Sequence, residues 1–374
     1  MPSSTSSSER LTAADRPGVA QPVPERPLPP KSWLQILLGA MLLTLMLLAL
    51  WEWQMREQQL VADDLSDSPS AWAEQRRRVN AGAGEIVIVG DSRILFDTDL
   101  DRFQALTGIR PIQLALTGSN ALALLEDLAA DPDFSGLAIV GISELLYFRT
   151  PIGPAQAALA RYHFESPSQR SGYLIHRLLD RQLAFLDDSY RLSRLLRRVD
   201  QGWRAGARSP HDEVWKIASS SDDRQTWLWP RLENDRALRR QVIGAWIYDP
   251  VEAPEPALIK ATLSASKMAV AQIRARGGEV LFLRPPSAFQ FRMGEERYLP
   301  RAIGWDDLLN TAQVAGAHFE DYPNMQGLKL PEYSHLSQAC ARVYTDAYVR
   351  ALATLSPRLR LRREAPDALT PGDC

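Results

Sequence analysis

The short apolar run at residues 85–89 constrains the fold of this chain more than any other feature of its sequence. It reads Glu-Ile-Val-Ile-Val and ends at Gly90. β-Branched residues in a run of this length, bounded by glycine, predict a buried strand of a parallel sheet. Asp91 and Ser92 follow directly, at the end of the strand where doubly wound sheets hold their active sites. We therefore expect Ser92 to be accessible, although Asp and Ser also favour ordinary helix caps.

Further apolar runs alternate with helical patterns along the chain, as in proteins with a parallel sheet between layers of helices. The predicted strands cover residues 85–89, 111–116, 137–142, 279–283 and 318–320. The predicted helices cover a segment through Phe103 and residues 121–130, 257–275, 305–314 and 338–355. The pattern predicts an α/β fold with three layers, α/β/α.

A polar loop at residues 331–337 precedes the last predicted helix and contains Glu332 and His335. An imidazole in this loop can reach across the carboxyl edge of the sheet and act as a base for Ser92. Glu332, three residues earlier, is expected to orient the imidazole and to stabilise its positive charge. Together the three residues predict a serine nucleophile, its base and the acid that supports the base.

These two segments resemble the first and last blocks of the SGNH hydrolase superfamily, in order and in spacing. The resemblance covers residues 85–355 and implies that Ser92 is the nucleophile and His335 the base. It also implies that Gly118, in the run Leu-Thr-Gly-Ser-Asn, is the second-block glycine. In such enzymes the backbone N–H groups of the nucleophile and of that glycine form the oxyanion hole.

The chain departs from the family pattern at two positions. The family has an asparagine after the third strand, whereas residues 137–142 run into Ser143 and Glu144. Asn120 is a candidate for the missing oxyanion donor, and capping of the helix that follows it is the alternative. Glu332 replaces the usual aspartate, and its longer side chain must fold back to reach the imidazole.

The stretches at residues 280–286 and 330–337 resemble a narrower group, the membrane-anchored SGNH-like proteins associated with polysaccharide O-acetylation. In that group a multi-pass membrane-bound O-acyltransferase is thought to export acyl groups, which the SGNH-like partner transfers or removes. The resemblance implies a polysaccharide or acylated sugar as substrate and an O-acyltransferase of this kind as a partner.

Arg284 follows a predicted buried strand and is expected to face the same crevice as the nucleophile and the base. It is a candidate for binding an anionic group of the substrate, because a guanidinium recognises such groups bidentately. Pairing with Glu295, Glu296 or Glu332 as scaffolding is the alternative. Asp91, inside the first block, is a further candidate for supporting the site or binding the substrate.

Residues 33–51 form an apolar stretch without a charged side chain. A helix of this length is close to the thickness of a bilayer core, about 30 Å, and tryptophans stand at both ends as interfacial anchors do. Basic residues before the stretch and acidic residues after it predict a cytoplasmic N-terminus and an extracytoplasmic, periplasmic domain on the inner membrane. A cleaved signal is the alternative, but the stretch is long for one and lacks a cleavage site.

The predicted organisation has five parts. They are a disordered cytoplasmic tail at residues 1–31, a transmembrane helix at 32–53, a juxtamembrane stalk at 54–84, an SGNH-like domain at 85–355 and a flexible tail at 356–374. A helical insertion at about 147–255 is rich in arginine, leucine and tryptophan. Its basic amphipathic helices can lie on a membrane or meet an acidic partner, or form a solvated subdomain. Its tryptophans can stack on sugars or simply pack in a core.

Composition excludes several functions. The chain has 43 basic and 45 acidic residues, so it has no electrostatic footprint for nucleic acid. Cys340 and Cys374 are too few for a disulfide framework and lack metal-ligand spacing. The histidines other than His335 are scattered without acidic companions at ligand spacing. We expect neither a cofactor nor a metal.

Three hypotheses remain from the sequence. The first is a membrane-anchored serine acyltransferase or esterase, in which an acyl group passes from Ser92 to a sugar hydroxyl or to water. The second is a catalytically inactive accessory or binding protein of a polysaccharide assembly or acylation complex. The departures at the third block and at Glu332 favour this alternative. The third is a structural membrane partner that uses the arginine-rich insertion.

Overall fold

The computed structural model describes residues 32–65, 67–79, 86–150, 153–200, 216–247 and 252–374. The chain divides into two units, Met1–Trp51 and Glu52–Cys374. The predicted disordered tail lies outside the described residues, and so does residue 85 at the start of the first predicted strand.

Helix α1, Trp33–Glu57, begins in the first unit. It has 25 residues with a mean hydropathy of 2.3 in its most apolar window, and none of that window is buried. The helix is therefore long and apolar enough to cross a membrane. Within the described ranges it is the one helix that meets this criterion.

The second unit contains alternating helices and strands. Its helices are α2 Pro69–Arg78, α3 Ser92–Phe96, α4 Leu100–Thr107, α5 Ala121–Ala130, α6 Glu144–Tyr147, α7 Gly153–Phe164, α8 Pro167–Asp180, α9 Leu192–Asp200, α10 Pro230–Asn234, α11 Arg236–Ile247, α12 Pro256–Ala275, α13 Phe289–Tyr298, α14 Asp307–Ala312 and α15 Gln338–Leu355. Its strands are β1 Ile86–Val89, β2 Ile112–Gln113, β3 Leu137–Gly141, β4 Ala218–Ser220, β5 Thr226–Leu228, β6 Glu279–Arg284 and β7 Gly316–His318.

Five of the described strands form one parallel sheet in the order β2-β1-β3-β6-β7. The predicted α/β fold with a parallel sheet is therefore confirmed. The order of the strands reverses between β1 and β3, because β2 lies on one side of β1 and the later strands lie on the other. Doubly wound sheets open a crevice at such a switch point, beyond the carboxyl ends of the strands. Ser92 lies at this crevice.

Hydrophobic clusters cover both faces of the sheet. Val87 and Val89 belong to a cluster with side chains of α5 and α12. Ile86 and Ile88 belong to a second cluster with side chains of α4 and α15. Because neighbouring side chains of a strand point to opposite faces, a strand covered on both faces is apolar throughout. This burial explains the unbroken apolar run in the sequence.

Several predicted elements have different bounds in the structure. The second strand is shorter than residues 111–116, although the chain beyond it stays bonded to β1 through Leu114 N and Leu116 N, at 2.7 and 3.0 Å from their acceptors. The last strand ends at His318, and a 3₁₀ turn follows at Phe319–Asp321. The segment through Phe103 forms two helices, because the Asp99 side chain caps α4 by accepting from Arg102 N.

The predicted stalk contains a helix that packs on the domain. In α2, Trp72 is 1% exposed, and its indole N–H donates to Leu114 O at 2.8 Å. Arg76 is buried beside it and pairs with Asp127 and Asp131. One aromatic anchor and one buried ion cluster thus attach this segment to the sheet, so residues 69–78 do not act as a free spacer.

The predicted flexible tail packs on α4 and α15 instead. Leu359 is buried, and Arg362 N donates to Leu106 O at 2.8 Å. Cys374 forms a disulfide with Cys340 on α15, with 4.8 Å between the Cα atoms. The sequence analysis did not anticipate this bond, because the two cysteines are 34 residues apart and only the fold brings them together.

The described part of the insertion at about 147–255 contains helices α7 to α11 and also two strands. β4 and β5 form an antiparallel hairpin. The turn of this hairpin carries Arg224, which is 1% exposed and donates to Gln113 O and Ala115 O beside β2, each at 2.7 Å. The insertion is therefore attached to the carboxyl edge of the sheet.

Candidate active site

Ser92 is the first residue of α3, immediately beyond the carboxyl end of β1. Asp91 caps the helix, since its side chain accepts from Arg93 N at 2.9 Å. A Cβ atom added to Gly90 or Gly141 would collide with the Ile94 side chain. The two glycines therefore allow α3 to cross close to the sheet, and this close approach places Ser92 at the crevice.

His335 and Glu332 form a buried pair in the loop before α15. Glu332 Oε1 accepts from His335 Nδ1 at 2.8 Å and from the backbone N–H of His335 at 2.6 Å. A carboxylate only accepts hydrogen bonds, so the proton of the neutral imidazole lies on Nδ1 and Nε2 carries the free lone pair. Nε2 is buried and has no hydrogen-bond partner among the described residues. The pair therefore presents an unoccupied base.

The loop that carries this pair contains a strained residue. Tyr333 has φ of 74°, a left-handed conformation that costs a non-glycine residue about 1–3 kcal/mol. Its carbonyl accepts from Ala288 N at 3.0 Å, and its ring packs on Phe289 with 4.3 Å between centroids. These contacts with the segment after β6 hold the turn that brings Glu332 back to His335.

The far end of α3 supports the imidazole. The Phe96 ring stacks on His335 with 4.3 Å between centroids. Asp97, at the C-terminal cap of α3, accepts from Leu336 N at 2.8 Å. Burial raises the pKa of the Asp97 carboxyl well above its ordinary value, although the Leu336 N–H opposes this shift. Helix α3 thus begins with Ser92, and Phe96 and Asp97 at its other end contact His335 and Leu336.

Ser92 and His335 line one cavity of about 220 Å³. No hydrogen bond joins Ser92 Oγ to His335 Nε2 in the described structure, as is common where catalytic contacts tighten only around a substrate. The other described residues of the lining include Arg93, Thr117, Gly118, Ser143, Arg149, Trp246, Phe291, Glu295 and Ser334. The structure therefore brings the predicted nucleophile, base and second-block glycine to one cavity.

Gly118 and Ser92 both line this cavity, and each has a backbone N–H group. Gly118 has φ of 64°, which explains the glycine because the conformation is unfavourable for other residues. In the described part of the chain, the backbone N–H groups of both residues are without a hydrogen-bond acceptor. Two such donors are what an oxyanion hole requires.

Asn120 has a different role from the oxyanion donor considered above. Its Oδ1 caps α5 by accepting from Leu122 N at 2.7 Å. Its amide nitrogen donates to Tyr147 O at 2.9 Å and also to Arg149 O. Both hydrogens of the amide are used, so Asn120 has none left for a substrate and we leave it out of the oxyanion hole.

Ser143 is a residue that the sequence analysis did not select. It follows β3, is 3% exposed, lines the cavity and carries a hydroxyl with no hydrogen-bond partner within the described ranges. A buried hydroxyl without a partner is costly in a folded protein and calls for an explanation. Ser143 occupies the position where the family pattern has asparagine, which is the signal that could have identified it.

Arg284 is buried away from the cavity, contrary to the expectation that it faces the crevice. It is 0% exposed, and its guanidinium pairs with Glu144 at 2.7 Å and with Glu295. Glu295 also pairs with Arg93. Of the glutamates considered from the sequence, Glu295 is the partner found, and Glu144 was not anticipated. The second of the two roles, scaffolding, is therefore the one the contacts support.

In this cluster two guanidinium groups, those of Arg284 and Arg93, contact two carboxyl groups, those of Glu144 and Glu295. Burial opposes the charge of Arg284, but the carboxylates of Glu144 and Glu295 outweigh it and raise the pKa of Arg284 above its ordinary value. Burial also raises the pKa of Glu144. In Glu295 burial is outweighed by the guanidinium groups of Arg284 and Arg93, which lower its pKa to about 2. The cluster joins β6, α3, α6 and α13, and its members Arg93 and Glu295 also line the cavity.

Trp246, on α11, is one of the tryptophans of the insertion considered above for sugar stacking, and its contact with Glu332 was not predicted. Its indole N–H donates to Glu332 Oε2 at 2.6 Å. Its ring lies edge-on to His335 with 6.5 Å between centroids, and it lines the cavity. Trp246 therefore donates to Oε2 of Glu332, whereas His335 bonds to Oε1. The sequence around Trp246, a helix rich in arginine, does not indicate a contact with Glu332.

A metal has no evident place here. In the described ranges no group of three or more His, Cys, Asp or Glu side chains could hold an ion.

A search of protein-family models finds no match for the sequence, and a search of curated proteins finds no relative. The resemblance to SGNH hydrolases therefore depends on the sequence motifs quoted above alone.

Proposed function

We propose that this protein is a membrane-anchored, extracytoplasmic serine acyltransferase or esterase of SGNH type. It acts on O-acyl groups of a cell-envelope or secreted polysaccharide. The observation that carries the proposal is the state of His335. Its Nδ1 is bonded to the buried Glu332 carboxylate, whereas Nε2 is buried without a hydrogen-bond partner among the residues that the structure describes. His335 and Ser92 line the same cavity.

In the first half of the reaction, Ser92 Oγ attacks the carbonyl carbon of an acyl ester. His335 Nε2 takes the hydroxyl proton as the new C–O bond forms, and Glu332 stabilises the imidazolium. The intermediate collapses, and the leaving alcohol takes the proton from Nε2 as its bond to the acyl carbon breaks. The acyl group is then an ester of Ser92.

In the second half, an acceptor hydroxyl gives its proton to His335 Nε2 and attacks the acyl carbon. The bond to Ser92 Oγ breaks, and the serine recovers its proton from Nε2. If the acceptor is a sugar hydroxyl, the reaction is acyl transfer, whereas water gives hydrolysis. The anchor and the resemblance to the polysaccharide O-acetylation group favour the sugar.

The negative oxygen of each intermediate needs hydrogen-bond donors. The backbone N–H groups of Ser92 and Gly118 are suited to this task, and the Ser143 hydroxyl is a third donor. One well-placed donor contributes about 3–4 kcal/mol to the transition state. Ser143 thus compensates for the asparagine that the family pattern has at the third block.

The test is ester hydrolysis by the full chain in detergent micelles, with p-nitrophenyl acetate as substrate. The variants are Ser92→Ala and His335→Ala, and Ser119→Ala is the matched control because its hydroxyl donates to backbone carbonyls outside the cavity. The first two variants are expected to lose about 10³-fold or more in kcat/KM. The double variant should lose little beyond either single one, since the two residues act as a unit.

Transfer is tested by adding acceptor oligosaccharides to the same reaction and detecting acylated sugar by mass spectrometry. A sugar acceptor should increase the release of p-nitrophenol and yield an acylated product that the Ser92→Ala variant does not form. If neither water nor sugars give a rate above that of the Ser92→Ala variant, the enzyme proposal is wrong.

One observation favours a second candidate, a binding protein of a polysaccharide assembly that retains the fold without catalysis. The described lining of the cavity contains no Asn or Gln side chain that would complete the oxyanion hole, and Asn120 is fully bonded to the backbone. Such a protein would bind oligosaccharides with unchanged affinity after Ser92→Ala and would show no ester hydrolysis.

A further inference from the structure

Two helices of the insertion turn apolar side chains outward. The exposed apolar side chains of α8 are Leu174, Ile175, Leu178 and Leu179. Those of α9 are Leu192, Leu196 and Val199. Each set recurs at helical spacing and therefore forms a stripe along one face of its helix. We call these two sets the outer stripes. Leu178 is 64% exposed and Leu192 is 58% exposed.

Some polar side chains of the same helices face the rest of the domain. On α8, Arg177 pairs with Asp222 at 2.9 Å, and Asp180 is buried. On α9, Arg198 is 1% exposed and donates to Ser189 O at 2.7 Å. A surface helix of a soluble domain has the opposite arrangement, with its apolar face on the core. Inverted helices of this kind fit a non-aqueous neighbour.

The connection between α8 and α9 is bonded to the start of the second unit. The Glu52 carboxylate accepts from the backbone N–H groups of Ala184 and Phe185, at 3.1 and 3.0 Å. Glu52 directly follows the apolar stretch at residues 33–51. If that stretch crosses a bilayer, Glu52 lies at its surface, and so does the connection that it holds.

We propose that the outer stripes of α8 and α9 rest on the bilayer that α1 crosses, with their apolar side chains between the lipid headgroups. The occupant is an anionic phospholipid surface, because Arg194 and Arg197 lie on α9 and favour anionic headgroups. This inference rests on the membrane anchor of the proposed function and does not depend on its chemistry. Docking of this kind fixes the height of the domain above the membrane.

The test uses the full chain in nanodiscs that contain phosphatidylglycerol. Single substitutions Leu178→Cys and Leu196→Cys carry an environment-sensitive fluorophore, and thiol labelling is selective because Cys340 and Cys374 are paired. Met268→Cys is the matched control, since Met268 is 61% exposed on α12. Leu42→Cys reports separately on α1. Nitroxide groups on the lipids quench fluorophores that enter the bilayer.

We expect labels at positions 178 and 196 to be quenched at least about threefold more strongly than the label at 268, as for side chains buried in the headgroup region. Quenching at 42 without quenching at 178 and 196 would overturn the docking while leaving the anchor intact. A water-shielded label without lipid quenching would assign the stripes to a protein segment, which also overturns it. No quenching at 42 would overturn the anchor and the docking together. Ester hydrolysis by the labelled chains tests the catalytic proposal independently.

Discussion

The Trp246 indole N–H donates to Glu332 Oε2 at 2.6 Å, while Glu332 Oε1 accepts from His335. The insertion thus contributes directly to the support of the base. Since every oxygen of this buried carboxylate is bonded, its orientation relative to the imidazole is fixed.

Replacement of Trp246 by phenylalanine should therefore weaken catalysis while preserving the ring at the cavity wall. The change leaves Glu332 Oε2 without a donor in a buried site, which costs about 1–3 kcal/mol. We expect kcat/KM for p-nitrophenyl acetate to fall by about 10- to 100-fold. Trp229→Phe is the control, because Trp229 is another tryptophan of the insertion, is buried and lies outside the cavity. Equal effects of the two substitutions would contradict a positioning role for Trp246.

Removal of the Ser143 hydroxyl should slow the reaction without loosening the fold. Ser143→Ala deletes one donor to the developing oxyanion, and such a donor contributes about 3–4 kcal/mol, or 10²- to 10³-fold in kcat. KM should change little, because the bond forms mainly in the transition state. Thr117→Val removes another hydroxyl from the lining and should leave kcat unchanged. Activity of Ser143→Ala at the wild-type level would restrict the oxyanion hole to backbone donors.

Loss of Arg284 should destabilise the whole second unit. Arg284→Ala leaves Glu144 and Glu295 buried beside each other without their shared cation, a change that costs about 3–5 kcal/mol in similar clusters. Urea denaturation followed by fluorescence measures this effect. Arg301→Ala breaks a partly exposed pair with Asp321 and should cost about 0–1 kcal/mol. Similar losses for both variants would show that the buried cluster around Arg284 is not a main source of stability.

Acid should destabilise the fold partly through His318. Burial, together with the positive charge of Arg284, lowers the pKa of His318 to about 3 from an ordinary value of 6.5. Between these values the unfolded chain binds a proton that the folded chain does not. The free energy of unfolding therefore falls as pH falls from 6.5 towards 3, by up to about 1.4 kcal/mol per pH unit.

His318→Asn isolates this contribution, because an asparagine oxygen can replace Nδ1 as the acceptor for Glu320 N. The variant should lose less stability than the wild type when urea denaturation is repeated from pH 7 down to pH 4, since one titrating group is gone. Parallel pH profiles for the two proteins would exclude His318 as the source of the acid sensitivity.

The parallel sheet and the location of Ser92 could be predicted because both follow from local patterns. A strand covered on both faces leaves an apolar run in the sequence, and the residue after it lies at the crevice. His335 and Glu332 are three residues apart, so their pairing also depends on local geometry. The helix cap of Asn120 is local too, which is why it was among the alternatives.

Long-range partners could not be predicted in this way. Trp246 lies 86 residues from Glu332, and Arg284 lies 140 residues from Glu144. No periodicity relates residues at such distances, and an arginine after a strand fits a ligand or a buried pair equally well. Cys374 and the segment at residues 69–78 were misassigned for the same reason, since their burial depends on contacts across the fold.

Helix α3 has a consequence for how the site can move. It begins at Ser92 and reaches His335 through Phe96 and Leu336 through Asp97. The distance between nucleophile and base is therefore set by a helix of barely more than one turn, although most of the chain lies between the two residues in sequence. We therefore expect small distortions of the sheet to move both residues together and to preserve their alignment. Misalignment instead requires the loop that contains His335 to separate from α3. This separation breaks the bond from Leu336 N to Asp97 and should be detected as hydrogen exchange of the Leu336 amide.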